Sequence, residues 1–380
     1  MRVLLSTIGS RGDFQPLLAL GVRLRELGRE VRLCAPPDFG GLAENHRLPF
    51  VPIGPPLRSH TPGSPEDLTR SVSAMVAGQF ATLREAAGDC EVVVGCNQLQ
   101  VAAPSVAELL GIRYVFADYS PVALPSAHHA PPPMPGAGEV SWEQEIERRN
   151  ALWQGPLNEQ RVAAGLDPIA DVHGHIVTDR PLLAADRALA PWPADSGLDV
   201  VQTGAWILAD RRPLPAEVEA FLSAGDPPVY FGFGSMRAPR TTAQAMVEAA
   251  RGLGYRAIVS RGWGELAPVE GPDCLTVTEA NVLALFSRVA AVVHHGGAGT
   301  TTATARAGVP QVVVPHHYDQ GYFAQRVQDL GIGVAHPGEP TTDSLTEALR
   351  QVLRPDVVSR AWSFGQQVRT DGASVAAELL

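Results

Sequence analysis

The sequence predicts an α/β protein made of two doubly wound, Rossmann-like parallel-sheet domains. Three observations carry this. A β-α-β pattern opens the chain, and the same pattern recurs near its middle. In both copies a Gly-Ser pair ends the first strand and a glycine about twenty residues later closes the helix, the plan of a doubly wound unit. Finally, 380 residues are long for one hydrophobic core and comfortable for two.

The elements follow in order. Val3–Thr7 is a short apolar strand and Gly9–Asp13 a polar turn. Pro16 to Leu27 places Leu17, Leu20, Leu24 and Leu27 on one helical stripe, and Gly28 supplies a left-handed cap. Glu30–Cys34 returns as a strand, so the first sheet is expected to be parallel. Glu91–Gly95 and Arg113–Ala117 read as strands around a helix at Ala102–Leu110. Pro52–Pro65 and the Pro-, Ala- and His-rich Leu124–Gly138 read as irregular loops. In the second half Val229–Phe233 is a strand, Gly234-Ser235 a turn, Ala243–Leu253 a helix closed by Gly254, and Arg256–Ser260 the next strand. Val289–Val293 and Gln311–Pro315 flank a helix starting near Gly299. Pro213 and Pro215 break the pattern. The expected domains are therefore 1–208 and 216–360, with a linker at 209–215 and a terminal helix at 361–380. Ligands of open parallel sheets bind beyond the carboxyl ends of the strands, so two such sheets facing across a cleft should place function there.

Composition narrows the chemistry. The formal net charge is −10, and no basic run is present, which argues against a nucleic-acid partner and fits a simple solubility role. All 30 basic residues are arginine, which removes lysine Schiff-base chemistry and a P-loop lysine. Cys34, Cys90, Cys96 and Cys274 form no CxxC pair and fit neither a zinc site nor a disulfide framework; reduced, buried thiols are expected. No signal-peptide layout and no membrane-spanning apolar run is read, so the expectation is a cytoplasmic protein, by default a monomer.

The most specific segment is His294-His295-Gly296-Gly297-Ala298-Gly299-Thr300-Thr301, which follows an apolar strand and opens a helix. Glycines let the backbone approach an anion, and the helix start offers free N–H groups and the positive end of a dipole. Two histidines and two threonine hydroxyls add donors, which suits a diphosphate; glycines serving only tight packing is the bland alternative. The segment is neither GxxxxGK[ST] nor a GxGxxG after the first strand, so a Walker-type ATPase and a dinucleotide dehydrogenase are disfavoured. Asp319 and Gln320 follow the next strand; a carboxylate beside an amide can hold neighbouring sugar hydroxyls, or be a solvated loop pair. In the first half Ser10-Arg11-Gly12-Asp13 lies between a strand and a helix. Asp13 is either a helix cap or a general base for an acceptor hydroxyl, two roles that compete for its lone pairs. Ser235, Arg261 and Trp263 end strands of the second sheet as further donor-side candidates, and His128 and His129 lie in the proline-rich loop.

On these residues the chain resembles the GT-B fold glycosyltransferases of bacterial natural products. The motifs are Gly9–Asp13, HHGGAGTT at 294–301 and Asp319-Gln320. Val201–Leu208, Ser260–Trp263 and Arg369–Ala373 resemble the subgroup acting on vancomycin- and teicoplanin-type glycopeptides. The resemblance spans essentially the whole chain. It implies an inverting, single-displacement sugar transfer without metal or resident cofactor, using a UDP- or dTDP-linked sugar as co-substrate. UDP-glucose or UDP-N-acetylglucosamine leads, and a glycopeptide aglycone is the implied acceptor. The acceptor would bind the N-terminal domain and the donor the C-terminal one. The catalytic base carries over to Asp13. The diphosphate loop carries over to His295, Gly296, Gly297, Gly299, Thr300 and Thr301, with His294, Ser10, Arg11 and Gly12 beside the donor, and the sugar-hydroxyl pair to Asp319 and Gln320. A helix at about Ser359–Leu380 would cross back onto the first domain. The tryptophan that plant members stack on uracil in a W-x-P-Q segment is missing from the matching Thr278–Asn281. The loop Tyr119–Val140 is expected to shape the acceptor pocket. Other readings are a dTDP-deoxysugar donor, a macrolide or aromatic polyketide acceptor, a nucleotide-sugar epimerase, or a non-catalytic helper of another transferase.

Overall fold

A computed structural model of the chain describes all residues except 58–64, 134–137, 139, 195, 235–239, 265, 267 and 270, with side chains at 65–70 and 240 also left aside. The described residues form two compact units. The first comprises Met1–Ala185, Pro191–Leu208 and Thr370–Leu380, the second Asp186–Ala190 and Ala209–Arg369.

The strands of the first unit are β1 (Arg2–Thr7), β2 (Glu30–Ala35), β3 (Phe50–Pro52), β4 (Val92–Cys96), β5 (Arg113–Asp118), β6 (Leu182–Leu183) and β7 (Val201–Gln202). They pair in parallel in the order β3-β2-β1-β4-β5-β6-β7. Every residue of β4 is buried, as expected for a central strand with helices over both faces. Leu4, Val93, Phe80, Leu83 and Val106 are among the buried side chains of one core.

The helix Arg11–Glu26 starts five residues before the Pro16 predicted by the leucine stripe. Ser10 and Asp13 close a reciprocal capping box, so the polar turn expected at Gly9–Asp13 is already the cap and first turn of the helix. The order of the sheet puts the carboxyl end of β1 between those of β2 and β4, with β5 beyond β4.

The second unit repeats the plan. Its strands are β8 (Val229–Gly232), β9 (Ala257–Ser260), β10 (Cys274–Val277), β11 (Ala291–His294), β12 (Gln311–Val313) and β13 (Gly333–Ala335), paired in parallel in the order β10-β9-β8-β11-β12-β13. Phe231, Val259, Val293 and Val312 meet Met246 and Leu349 in its core.

The terminal helix expected over 359–380 is two helices, Pro355–Gly365 and Gly372–Leu379. The first stays with the second unit along the helix Ala298–Ala307, while the second packs on Arg11–Glu26 in the first unit. The close fit of the second requires a glycine: a Cβ on Gly372 would lie 2.4 Å from the carbonyl carbon of Gly204. Cys34, Cys90 and Cys96 are buried and Cys274 half-buried, all as free thiols. Among the described residues no helix is long and apolar enough to cross a membrane.

Candidate active site

At the carboxyl end of β1 the chain enters its first helix through Gly9 and Ser10. The capping box leaves Asp13 half-buried, with Oδ2 accepting from the Ser10 backbone N–H (2.7 Å) and the Ser10 hydroxyl (3.2 Å). Its other oxygen, Oδ1, accepts from Asn97 Nδ2 at 3.0 Å. The fit against Gly9 admits no side chain there, since a Cβ would sit 2.3 Å from Asp13 Oδ2. Capping is therefore observed, and it leaves room for the second expected role. A carboxylate offers about four lone-pair positions, and capping occupies one oxygen while the other keeps acceptor capacity. Burial pushes the Asp13 carboxyl above its ordinary range, and the hydrogen bonds from Asn97 and Ser10 oppose that shift. A carboxylate with a raised pKa is a stronger base at neutral pH.

Neighbouring strand ends complete this rim. Asn97 follows β4, and Tyr119, just past β5, donates its hydroxyl to the backbone carbonyl of Asp13 (2.8 Å). Tyr119 meets Trp206 edge-on at 6.1 Å, and Trp206 Nε1 donates to Thr203 Oγ1 (3.0 Å), which gives the Val201–Leu208 motif a structural task behind Asp13. Asp118 accepts from the backbone N–H groups of Tyr119 and Ser120 through Oδ1 (2.7 and 3.2 Å), while burial raises its carboxyl to about 7. Glu108 is paired with Arg161 at 2.8 Å, away from this rim. Asn97 was not legible as a functional residue; the signal available was its position directly after an apolar strand.

The second unit carries a different rim. The helix Ala298–Ala307 starts at Gly297 without any side-chain cap. Thr301 N–H already bonds the Gly297 carbonyl (3.0 Å), so the outward-directed helix donors are the N–H groups of Ala298, Gly299 and Thr300. Gly296 has φ 91°, and a Cβ there would lie 2.6 Å from Val313 Cγ1. His295 lies over this turn, close enough that a Cβ on Gly297 would sit 2.6 Å from its Nε2. Among the described residues its buried Nδ1 has no hydrogen-bond partner, and burial, with His294, His316 and His317 nearby, pushes its pKa down to about 3. At neutral pH it is an uncharged imidazole that offers an N–H.

Three expected donor-side residues turn inward. His294 is fully buried: Nε2 bonds Gln311 Oε1 (2.8 Å) and Nδ1 accepts from the Gly296 N–H (3.0 Å), so it holds the loop's shape and does not face outward. The Thr301 hydroxyl donates to the Gly297 carbonyl (3.0 Å) within its own helix. Gln320 is buried, and its Oε1 accepts from the His316 and His317 N–H groups (2.8 and 3.3 Å), fixing the turn after β12. Asp319 begins the next helix without capping it through its side chain. Pairing of β11 with β12 brings the glycine turn and the Asp319 turn to one rim, as expected.

Arg261 and Trp263 form the turn after β9, which reaches β8 through the Gly264 N–H on the Gly234 carbonyl (3.2 Å). Gly234 abuts His295, so the turns after β8, β9 and β11 meet. Ser235 lies outside the described residues. Ser10, Arg11 and Gly12 belong to the first unit with Asp13, and the Ser10 hydroxyl is engaged by Gly12 N–H and Asp13. His128 is exposed; His129 bonds the Leu124 carbonyl (3.0 Å) and packs edge-on against Trp192 and Trp142, which makes it a brace of its loop. Asn281, in the segment matching the plant tryptophan motif, caps a short helix and donates to the carbonyls of Asp210 and Arg212.

Two Rossmann-like parallel sheets, one with a half-buried carboxylate held at its rim and one with a glycine turn opening a helix, define the GT-B fold of glycosyltransferases. Residues 3–121 match the glycosyltransferase family 28 N-terminal domain, and residues 270–376 match the erythromycin biosynthesis protein CIII-like C-terminal domain. The chain is 47% identical to the vancomycin aglycone glucosyltransferase of Amycolatopsis orientalis over all of its length and 97% of the relative's. It is 48% identical to glycosyltransferase GtfE of the same organism, over 100% of this chain and 97% of that one. A dTDP-epi-vancosaminyltransferase of that organism is 44% identical over 95% and 92% of the two chains. The solved glycotransferase of kitacinnamycin shares the fold, with a TM-score of 0.76 at 19% identity over 100% of this chain and 97% of that one. The chain belongs to the glycosyltransferase family that contains these Amycolatopsis enzymes.

Proposed function

We propose that this enzyme transfers a hexose, with inversion and without a metal ion, from a nucleotide-sugar to a hydroxyl of a glycopeptide antibiotic aglycone. The observation that carries the mechanism is Asp13: a carboxylate held from two sides, raised in pKa by burial, with acceptor capacity remaining on Oδ1. Asp13 takes the proton of the acceptor hydroxyl. The oxygen attacks the anomeric carbon from the face opposite the diphosphate, a new C–O bond forms, and the bond to the diphosphate breaks. The N–H groups of Ala298, Gly299 and Thr300, the helix dipole and the neutral His295 stabilise the departing charge. A phenolic acceptor, with a pKa near roughly 10, leaves real but moderate work for the base. Asp319 is the group proposed for the sugar hydroxyls, with Gln320 shaping the turn that presents it. Arg261 and Trp263 are proposed beside the nucleotide.

Near-full-length identity to a vancomycin aglycone glucosyltransferase supports the acceptor class and a glucose donor, for which UDP is the proposed carrier. The similar identity to a dTDP-epi-vancosaminyltransferase supports a dTDP-linked deoxysugar as the second reading. The four free cysteines suit a reducing cytoplasm, where a monomer is proposed to act. A mass-spectrometric assay with EDTA present, pairing UDP- and dTDP-sugars with a heptapeptide aglycone, tests this. A product heavier by one sugar supports class, donor and metal independence together. Nucleotide-sugar binding without transfer to any heptapeptide acceptor overturns the acceptor assignment, and transfer abolished by EDTA overturns the metal-free mechanism.

A further inference from the structure

Asn97 stands where β4 ends, with φ 66°, a left-handed backbone that asparagine tolerates better than most residues. Its side chain is engaged on both ends. Oδ1 accepts from the Leu99 N–H (2.9 Å), while Nδ2 lies within reach of Thr7 Oγ1 (3.2 Å), the Ile8 carbonyl (2.8 Å) and Asp13 Oδ1 (3.0 Å). This network fixes the amide orientation. A flipped amide would set its oxygen against three acceptors and its NH2 against an N–H. The backbone turn alone could be met by glycine or aspartate. Only asparagine also brings a neutral donor to the carboxylate, and an aspartate there would place a second negative charge beside it.

We propose that Asn97 is the positioning residue for the base: its amide locks the Asp13 carboxylate in one rotamer and sets the pH at which Oδ1 accepts the acceptor's proton. This rests on the reading of Asp13 as the base. Among the described residues, few titratable or charged groups surround Asp13. Cys96 comes from the end of β4, Asp118 and Tyr119 from the end of β5, and Arg11 from its own helix. Burial keeps the Cys96 thiol and the Tyr119 phenol neutral at working pH, so Asp118 is the neighbour whose charge changes near neutrality and couples to Asp13.

The test is the pH dependence of kcat/KM for the wild type, Asn97→Gly, Asn97→Asp and Asp13→Asn, with melting temperatures measured alongside. Asn97→Gly keeps the turn and loses the amide; turnover should fall roughly 10- to 100-fold, with donor KM within about twofold, because a misplaced base is costly. Asn97→Asp keeps shape and backbone; the acid-side midpoint should rise by about one pH unit or more, since two neighbouring carboxylates resist joint ionisation. Both Asn97 variants matching the wild type in turnover and profile, with Asp13→Asn inactive, overturn this inference alone. Asp13→Asn with wild-type turnover overturns the base reading and this inference with it. If Asn97→Gly does not fold, the profile of Asn97→Asp decides.

Discussion

The two rims start from the same local plan and end in opposite chemistry. In the first unit the helix after β1 has its N-terminus filled by its own chain: Ser10 caps it, and the Asp13 carboxylate takes the Ser10 N–H. In the second unit the helix after β11 begins at Gly297 with no side-chain cap, and its N–H groups at Ala298, Gly299 and Thr300 point outward. A helix N-terminus attracts negative charge in either case. Filled from within, it holds a carboxylate in place and leaves acceptor capacity on its other oxygen. Left open, it suits the negative charge of a leaving diphosphate. One supersecondary unit thus holds its own carboxylate in one copy and leaves its helix start open in the other, as the proposed base and anion roles require.

Substitutions that separate the rims should sharpen this contrast. Asp13→Ala should lower turnover roughly 10²–10⁴-fold, at a stability cost of about 1 kcal/mol for the lost capping interaction; steady-state kinetics and thermal unfolding check both. A turnover loss under about tenfold would return Asp13 to a purely structural place at its helix. Next, Gly296→Ala forces a β-carbon against Val313 at φ 91° and should destabilise the second unit by about 2 kcal/mol or more, measurable by denaturant unfolding.

Acid should also act unevenly. His294 and His295 in the second unit have folded pKa values near 4 and 3, below the unfolded value, so the unfolded chain binds more protons as pH falls under about 6.5. Their stabilisation is complete above that pH and is lost on acidification, at roughly 1–2 kcal/mol per pH unit for the pair. In the first unit His173, pushed to about 4, behaves likewise. Asp118, raised to about 7, has the opposite sign, because its protonated form is favoured in the fold and stability falls as pH rises through 7. Hydrogen-exchange protection factors, corrected for the intrinsic pH dependence of amide exchange, should therefore fall more between pH 7 and pH 5 in β8, β11 and β12 than in β1, β4 and β5. An equal fall would contradict this division. The smallest effect belongs to Thr301→Val: with its hydroxyl spent inside the helix, nucleotide affinity should change less than about twofold, or roughly 0.4 kcal/mol.

The sequence made the frame of this molecule readable and parts of its rims unreadable. Apolar runs such as Val92–Val94 and Ala291–Val293 marked central strands, because strands covered on both faces need no alternation. The glycine turn at 296–297 was readable for a similar reason, since few other residues fit a left-handed, closely packed backbone. Asn97 was not readable, because its meaning depends on β4 lying beside β1, and sheet order is not written in local spacing. The doublet His294-His295 looked like one feature, yet successive residues leaving a strand point to opposite sides, and only His295 lies over the glycine turn, its ring against Gly234 and Gly297. Thr301 misled for a helical reason: in the first turn a threonine hydroxyl can reach back to the carbonyl four residues earlier. The terminal helix broke where the chain passes from one unit to the other near Thr370, a change of packing partner with no strong punctuation in the sequence.

The most direct measurement of the contrast between the rims is a calorimetric titration of UDP and dTDP into the wild type, Asp13→Ala and Gly297→Ala. A Cβ on Gly297 must displace His295, so that variant should bind nucleotide about tenfold more weakly, roughly 1.4 kcal/mol, while Asp13→Ala binds like the wild type and yet fails to turn over. Nucleotide binding lost in Asp13→Ala and kept in Gly297→Ala would contradict the account.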